Sequence, residues 1–138
     1  MILKLRSMRV NAETGAHAKY VKELIASGSP MAKLDAADPR LIPGGRFFRA
    51  TGLDELPQVL NVLRGEMSLV GPRPCTVSEF QLYQPEHRNR VDAPPGLTGF
   101  WQVNGKNRTT FNEMIDMDLF YARNMSLSLD LKIMCRTI

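Results

Sequence analysis

Apolar residues recur at helical spacing in four stretches of the 138-residue chain. Tyr20, Val21, Leu24 and Ile25 fall on one stripe and predict a helix from Ala16 to Ser27, with Gly28 as its C-terminal cap and Pro30 blocking continuation. Leu56, Val59, Leu60 and Leu63 form a second stripe, predicting a helix that starts near Asp54 and ends near Gly65. Pro57 suits its first turn, where a missing N–H costs nothing. Phe111, Met114, Ile115, Leu119 and Tyr121 predict a third helix over Thr110 to Asn124, and Leu127 to Ile138 reads as a fourth. Ser78 to Pro85 predicts a shorter helix capped by Ser78.

Between these lie strand and loop signals. Leu3 to Val10 reads as a short strand followed by a basic loop. With nothing before it to pair, a fragment or a displaced start codon is expected, a natural N-terminal edge strand being the alternative. Ser29 to Gly45 holds three prolines among polar and small residues and predicts a loop. Met67 to Val70 is a short apolar run closed by Gly71-Pro72-Arg73-Pro74. Leu97 to Val103 alternates as a strand does, between a Pro94-Pro95-Gly96 turn and an Asn104-Gly105 turn. The expected fold is mixed α/β, with helices around a small sheet. No repeat is visible, which excludes a solenoid.

Composition narrows the class. Hydrophobic residues are 43% and charged residues 23%, ordinary values for one globular domain over residues 1–138. No run of 18 apolar residues is present, and the N-terminus is too short in apolar residues for a signal peptide. Cys75 and Cys135 are too few and too far apart for a disulfide framework or a zinc site, so a reducing cytosol is the expected compartment. The net charge of +4 is uneven. Residues 1–50 carry nine Lys/Arg against four Asp/Glu, and residues 51–138 carry nine against ten. A basic first third suits a phosphate-bearing ligand, an anionic membrane surface or nucleic acid; a solvated basic face is the plainer reading. Aromatics are only 7% and the basic residues are dispersed, so nucleic acid is not expected as a partner. Phosphate-loop and dinucleotide fingerprints are absent, which disfavours kinases and NAD enzymes.

The strongest candidate for chemistry is Asp54-Glu55. At a helix start both carboxylates stay ionised, able to hold a hard cation or attack an electrophile. The same pair is also what a helix dipole recruits for stability alone. Arg49 and Arg73, the latter stiffened between Pro72 and Pro74, offer planar forks for phosphate, and Lys4 and Arg6 add charge. Solvated surface arginines are the alternative. Trp101 beside the polar, basic turn Asn104 to Arg108 reads as a core tryptophan or as a stacking platform. His17 and His87 have no partners at metal spacing and read as surface or satisfied histidines.

Taken in order, Lys4 to Met8, Asp38-Pro39-Arg40, Leu53 to Gln58, Asn61 to Pro74 and Pro95 to Gly99 resemble the bacterial sugar transferases, the monotopic phosphoglycosyl transferases. The resemblance runs over essentially all of residues 1–138. It implies transfer of a sugar-1-phosphate from a UDP-sugar to a polyprenyl (undecaprenyl) phosphate, at the cytoplasmic face of the bacterial inner membrane, starting exopolysaccharide, O-antigen or glycoprotein glycans. It implies Asp54 as nucleophile through an aspartyl phosphosugar ester. Glu55 would orient Asp54 and hold Mg2+ with it. Lys4, Arg6, Arg49, Arg73, Pro72, Pro74 and Lys106 would form the substrate-binding set, at the meeting of the Asp54 helix and the Arg73 loop.

Two features depart from the family pattern. Lys106 stands in Gly105-Lys106-Asn107 where many members read Gly-Arg-Asn, which keeps charge but loses bidentate geometry. Family members carry an N-terminal membrane helix before the Lys4 motif, and none precedes it in residues 1–138, so the expectation is a truncated core, cytoplasmic or peripheral, whose apolar stretches after Phe120 rest on a membrane surface. The alternatives are a non-catalytic remnant that binds nucleotide or partners a full-length transferase, and a basic polyanion-binding module.

Overall fold

The computed structural model describes residues 1–10, 15–31 and 38–137. Its element order is α1 (Gly15–Ser27), α2 (Gly45–Thr51), α3 (Gln58–Leu63), β1 (Ser68–Val70), α4 (Val77–Gln81), β2 (Gly96–Thr98), α5 (Phe100–Asn104), α6 (Phe111–Arg123) and α7 (Leu127–Thr137). Short 3-10 turns at Leu53–Glu55, Pro85–Asp92 and Lys106–Arg108 complete it. The architecture is the expected mixed α/β one, helices around a small sheet.

That sheet is β1 paired in parallel with β2, Ser68 opposite Gly96 and Val70 opposite Thr98. Parallel pairing needs a crossover, and the chain supplies it through α4 and the 85–92 turn. Glycine is required at the contact: a Cβ on Gly96 would lie 2.1 Å from the Gly71 nitrogen, and one on Gly71 would lie 2.3 Å from the Pro94 oxygen.

The long helices follow the sequence. On α6 the residues Phe111, Met114, Ile115, Leu119 and Tyr121 are all buried. Thr110 caps the helix by accepting from Glu113 N–H, and Glu113 Oε2 accepts from Thr110 N–H at 2.7 Å, a reciprocal box that satisfies two otherwise orphaned donors. Val21 and Leu24 of α1 join Tyr83 and the α6 residues in one cluster, against which Trp101 packs. On the other side of α6, Tyr121 meets Val70 and Ile133. Trp101 is thus a core-edge residue whose indole N–H donates to Thr109 Oγ1 at 2.7 Å.

Four expectations are corrected, and the loop expected over Ser29 to Gly45 holds for the residues described before Gly45. The Leu3–Val10 stretch forms no strand beyond one bridge, Met8 to Leu41. The expected loop over Ser29 to Gly45 lies outside the described residues at 32–37, and at its end Gly45 opens a helix, α2. The helix expected from Asp54 is a 3-10 turn, and α3 begins only at Gln58. Pro57 has no N–H to give Leu53, so the chain closes with i to i+3 bonds: Leu56 N–H to Leu53 and Leu60 N–H to Pro57. α4 is capped by Thr76, not Ser78, because Glu79 completes a box with Thr76. The strand expected over 97–103 stops at Thr98, and Phe100 to Asn104 coils into α5, whose Phe100 and Val103 pack against the Val70 cluster. No helix among the described residues is long and apolar enough to cross a membrane.

Candidate active site

Gly52 has φ of 72°, a left-handed conformation that lets the chain leave α2 and turn at once into Leu53–Glu55. That turn puts Asp54 inside, 2% exposed, and leaves Glu55 at the surface. The N-terminal segment runs alongside: Leu5 N–H donates to the Asp54 carbonyl at 2.8 Å. Lys4 then brings its ammonium to both carboxylates, 3.0 Å from Asp54 Oδ2 and 3.3 Å from Glu55 Oε1. Three of the sequence-predicted residues therefore meet, joined across fifty positions of chain.

The others are placed differently. Arg6 is exposed and has no ion pair among the described residues. Arg49 sits in the last turn of α2, which packs on the Leu53–Glu55 turn. Its charge acts on Asp38, whose carboxyl is held down at about 2, chiefly by the Arg40 hydrogen bond. Arg40 grips Asp38 with Nε at 2.8 Å and a terminal nitrogen at 2.7 Å. Lys106 is exposed with φ of 44°, and its carbonyl accepts from Thr109 Oγ1. His87 is half-buried on a cavity of about 480 Å³ that it shares with Glu86, Asp116, Phe120 and Arg123. The side chain of His17 lies outside the described residues.

Arg73 is bound into a network of its own. Its guanidinium donates to Glu79 Oε1 at 3.0 Å. Its backbone N–H donates to Asp118 Oδ2 at 3.3 Å, and its carbonyl accepts from Arg90 at 2.8 Å. Arg90, 1% exposed, also donates to Asp118 Oδ2 and to Tyr83 Oη. Burial pulls the Arg73 pKa down, but the Glu79 charge and hydrogen bond more than offset it, and the net direction is up. No hydrogen bond or ion pair joins Arg73 to Asp54 or Glu55. Pro72 is buried and its carbonyl accepts from Gly96 N–H at 3.0 Å, while Pro74 is half-buried, so the stiff loop is docked on β2.

Sequence reasoning missed Asn61 and Gln58, both buried, and the whole Arg90–Asp118–Glu79 network. Arg90 sits in a polar run that looks like surface, and its partner is 28 positions away. Only the motif order around Asn61 carried a signal.

The pair Asp54-Glu55 suits a hard cation. Asp54 Oδ2 is buried and meets the Lys4 ammonium at 3.0 Å, and a carboxylate oxygen engaged by one cation keeps a further lone pair for a metal ion. No group of three or more His, Cys, Asp or Glu is gathered among the described residues. Magnesium does not require one, since it takes one or two carboxylates and completes its shell with water and substrate phosphate.

The model of the family described as bacterial sugar transferase matches residues 1–138. The chain belongs to the bacterial sugar transferase family. A galactosyl transferase of Streptococcus agalactiae serotype III is 42% identical to it, over 98% of this chain and 30% of that protein. The undecaprenyl-phosphate galactose phosphotransferase of Salmonella typhimurium is 40% identical, over 97% of this chain and 28% of its own length. The UDP-glucose:undecaprenyl-phosphate glucose-1-phosphate transferase of Caulobacter vibrioides is 40% identical, over 99% and 49%. This bacterial sugar transferase chain thus spans half or less of the length of these relatives.

Proposed function

We propose that the chain carries the catalytic residues of a sugar-1-phosphate transfer from a UDP-sugar to polyprenyl phosphate, with Asp54 as nucleophile. The observation that carries this reading is the buried Asp54 carboxylate, next to Glu55 and paired through Oδ2 with the Lys4 ammonium that also reaches Glu55. The relatives' names supply the reaction class and the acceptor.

In this reading an Asp54 carboxylate oxygen attacks the sugar-bearing phosphorus of the donor. An O–P bond to Asp54 forms, the bond from phosphorus to the bridging oxygen breaks, and UMP leaves with that oxygen. A polyprenyl phosphate oxygen then attacks the same phosphorus. The Asp54–phosphorus bond breaks, the carboxylate is restored, and a polyprenyl diphosphate sugar is released. Lys4 neutralises charge on the transferring phosphoryl oxygens, where a fixed cation is worth most. Glu55 holds Lys4 from the other side and keeps it beside the reacting carboxylate. Asp54 and Glu55 would hold Mg2+, which when bound adds charge neutralisation on the phosphates. Arg73 does not pair with Asp54; its guanidinium is held by Glu79.

The acceptor is a lipid, so a membrane surface is the proposed partner. Phe47 and Phe48 on α2 and Leu56, Val59, Leu60 and Leu63 around α3 are all exposed beside this site, a pattern that suits an interfacial surface. Incubation with Mg2+ and a panel of UDP-sugars, followed by intact-mass spectrometry, tests the first step. A gain of one sugar phosphate is expected, absent in Asp54→Asn. A folded chain that gains no mass with any donor supports the non-catalytic alternative.

A further inference from the structure

The segment from Met1 to Leu5 is neither helix nor strand, yet its backbone is fastened at every second residue. Asn61 Nδ2 donates to the Met1 carbonyl at 2.8 Å. Leu3 N–H donates to Asn61 Oδ1 at 2.9 Å, and Leu5 N–H donates to the Asp54 carbonyl at 2.8 Å. In extended chain, alternate residues face the same edge, so these three anchors share one edge. The Asn61 carboxamide offers that edge one acceptor and one donor, as a neighbouring strand would. Lys4 lies between the second and third anchors, and its ammonium reaches Asp54 and Glu55.

Asn61 is itself locked. It is fully buried at 0% exposure, and the second proton of its amide goes to Glu66 Oε2. Its own carbonyl accepts from Glu66 N–H and Met67 N–H. A buried amide whose oxygen and both protons are all used is a rigid fixture, and removing it leaves the Leu3 and Met1 groups unpaired.

We infer that Asn61 is a positioning residue that sets Lys4 against the Asp54–Glu55 pair. The inference rests on the proposed role of Asp54. With Leu3 and Leu5 tethered, only the Lys4 side chain remains to be ordered when the ammonium meets the carboxylates. Without the Asn61 tether the whole segment must be ordered each time. Misplacement of a charge by about 1 Å can cost on the order of a hundredfold in rate.

A double-mutant cycle on the phosphosugar labelling rate tests this. Asn61→Leu and Lys4→Met are each expected to slow labelling by roughly tenfold to a hundredfold, in kcat more than in KM. The double variant is expected to be no slower than Lys4→Met, because Asn61 acts through Lys4. Losses that multiply in the double variant overturn the inference, since Asn61 would then serve the fold at large. Asn61→Ser, which leaves room for water, enters the same cycle if the leucine variant does not fold. Amide exchange read by NMR gives a measurement independent of activity. Leu3 and Leu5 should lose protection at least tenfold in the variant while Met114 and Ile115 keep theirs, and unchanged protection at Leu3 sinks the clamp. If Asp54→Asn still labels, the nucleophile assignment fails, and the exchange result still decides the clamp.

Discussion

Asp118 shows how a single buried charge couples to the rest of the molecule. Burial pushes its pKa up to about 6, against the opposing pull of the Arg90 charge and the Arg73 N–H. A carboxyl whose folded pKa exceeds its unfolded value holds its proton longer in the native state. Its stabilising contribution is complete below the ordinary aspartate value of 3.8 and is lost as pH rises through about 6. Chemical unfolding at intervals from pH 4 to 7 should therefore show wild-type stability falling relative to Asp118→Asn, by on the order of 1–3 kcal/mol. A pH-independent difference would show that Asp118 is ionised throughout. Asp38 behaves oppositely. Arg40 holds it at about 2, so its contribution is present above about pH 4 and fades toward pH 2. Arg73 stays charged because Glu79 offsets its burial.

At the scale of elements, α3 inverts the expected amphipathic pattern. Leu56, Val59, Leu60 and Leu63 form the stripe that periodicity marks as core, yet Leu63 is 78% exposed and Asn61 0%. The helix is six residues long and its polar side is needed inward, where Asn61 satisfies the backbone of Met1 and Leu3. Leu63→Gln should accordingly change stability by no more than about 0.5 kcal/mol in urea unfolding. Ile115→Ala, by contrast, leaves a cavity at a position with no exposure and should cost about 2–5 kcal/mol. The caps of α4 and α6 were written in the sequence as Thr-x-x-Glu boxes. Neither box enters the sequence reading: the α6 prediction rests on apolar spacing, and at α4 Ser78 offers a competing cap whose hydroxyl in fact bonds Thr76. For β2 the alternation of residues 97–103 misled, since Gly99 ends the strand and α5 follows.

Across the whole molecule, α6 separates two apolar clusters, one with α1 and Tyr83, the other with β1 and α7. Neither cluster, among the described residues, contains any residue of 1–10 or 38–65. The region that carries Asp54 is held instead by hydrogen bonds and ion pairs: Leu5 to Asp54, Arg9 to Arg40, Ile42 to Ser7, Leu3 to Asn61 and Lys4 to the carboxylates. Regions with few buried apolar contacts open at lower free energy than the core. Native-state hydrogen exchange should therefore find the Leu3, Leu5, Arg9 and Ile42 amides exchanging by a local opening, with Met114 and Ile115 exchanging only near global unfolding. Equal protection in both sets would mean that the site and the α6 core unfold as one unit.

The sequence by itself determined the spans of α1, α6 and α7 and the family, because 3.6-residue periodicity, capping residues and contiguous motifs are local properties. It also singled out Asp54 and Glu55 and placed a cation near them. Tertiary structure alone decided that Lys4 is that cation, that Arg73 pairs with Glu79 and not with Asp54, and that α3 turns its polar side inward. Each of those outcomes depends on which distant group fills a buried donor or acceptor. The requirement that buried polar groups be paired acts across the folded molecule, between residues up to sixty positions apart, where no periodicity along the chain records it.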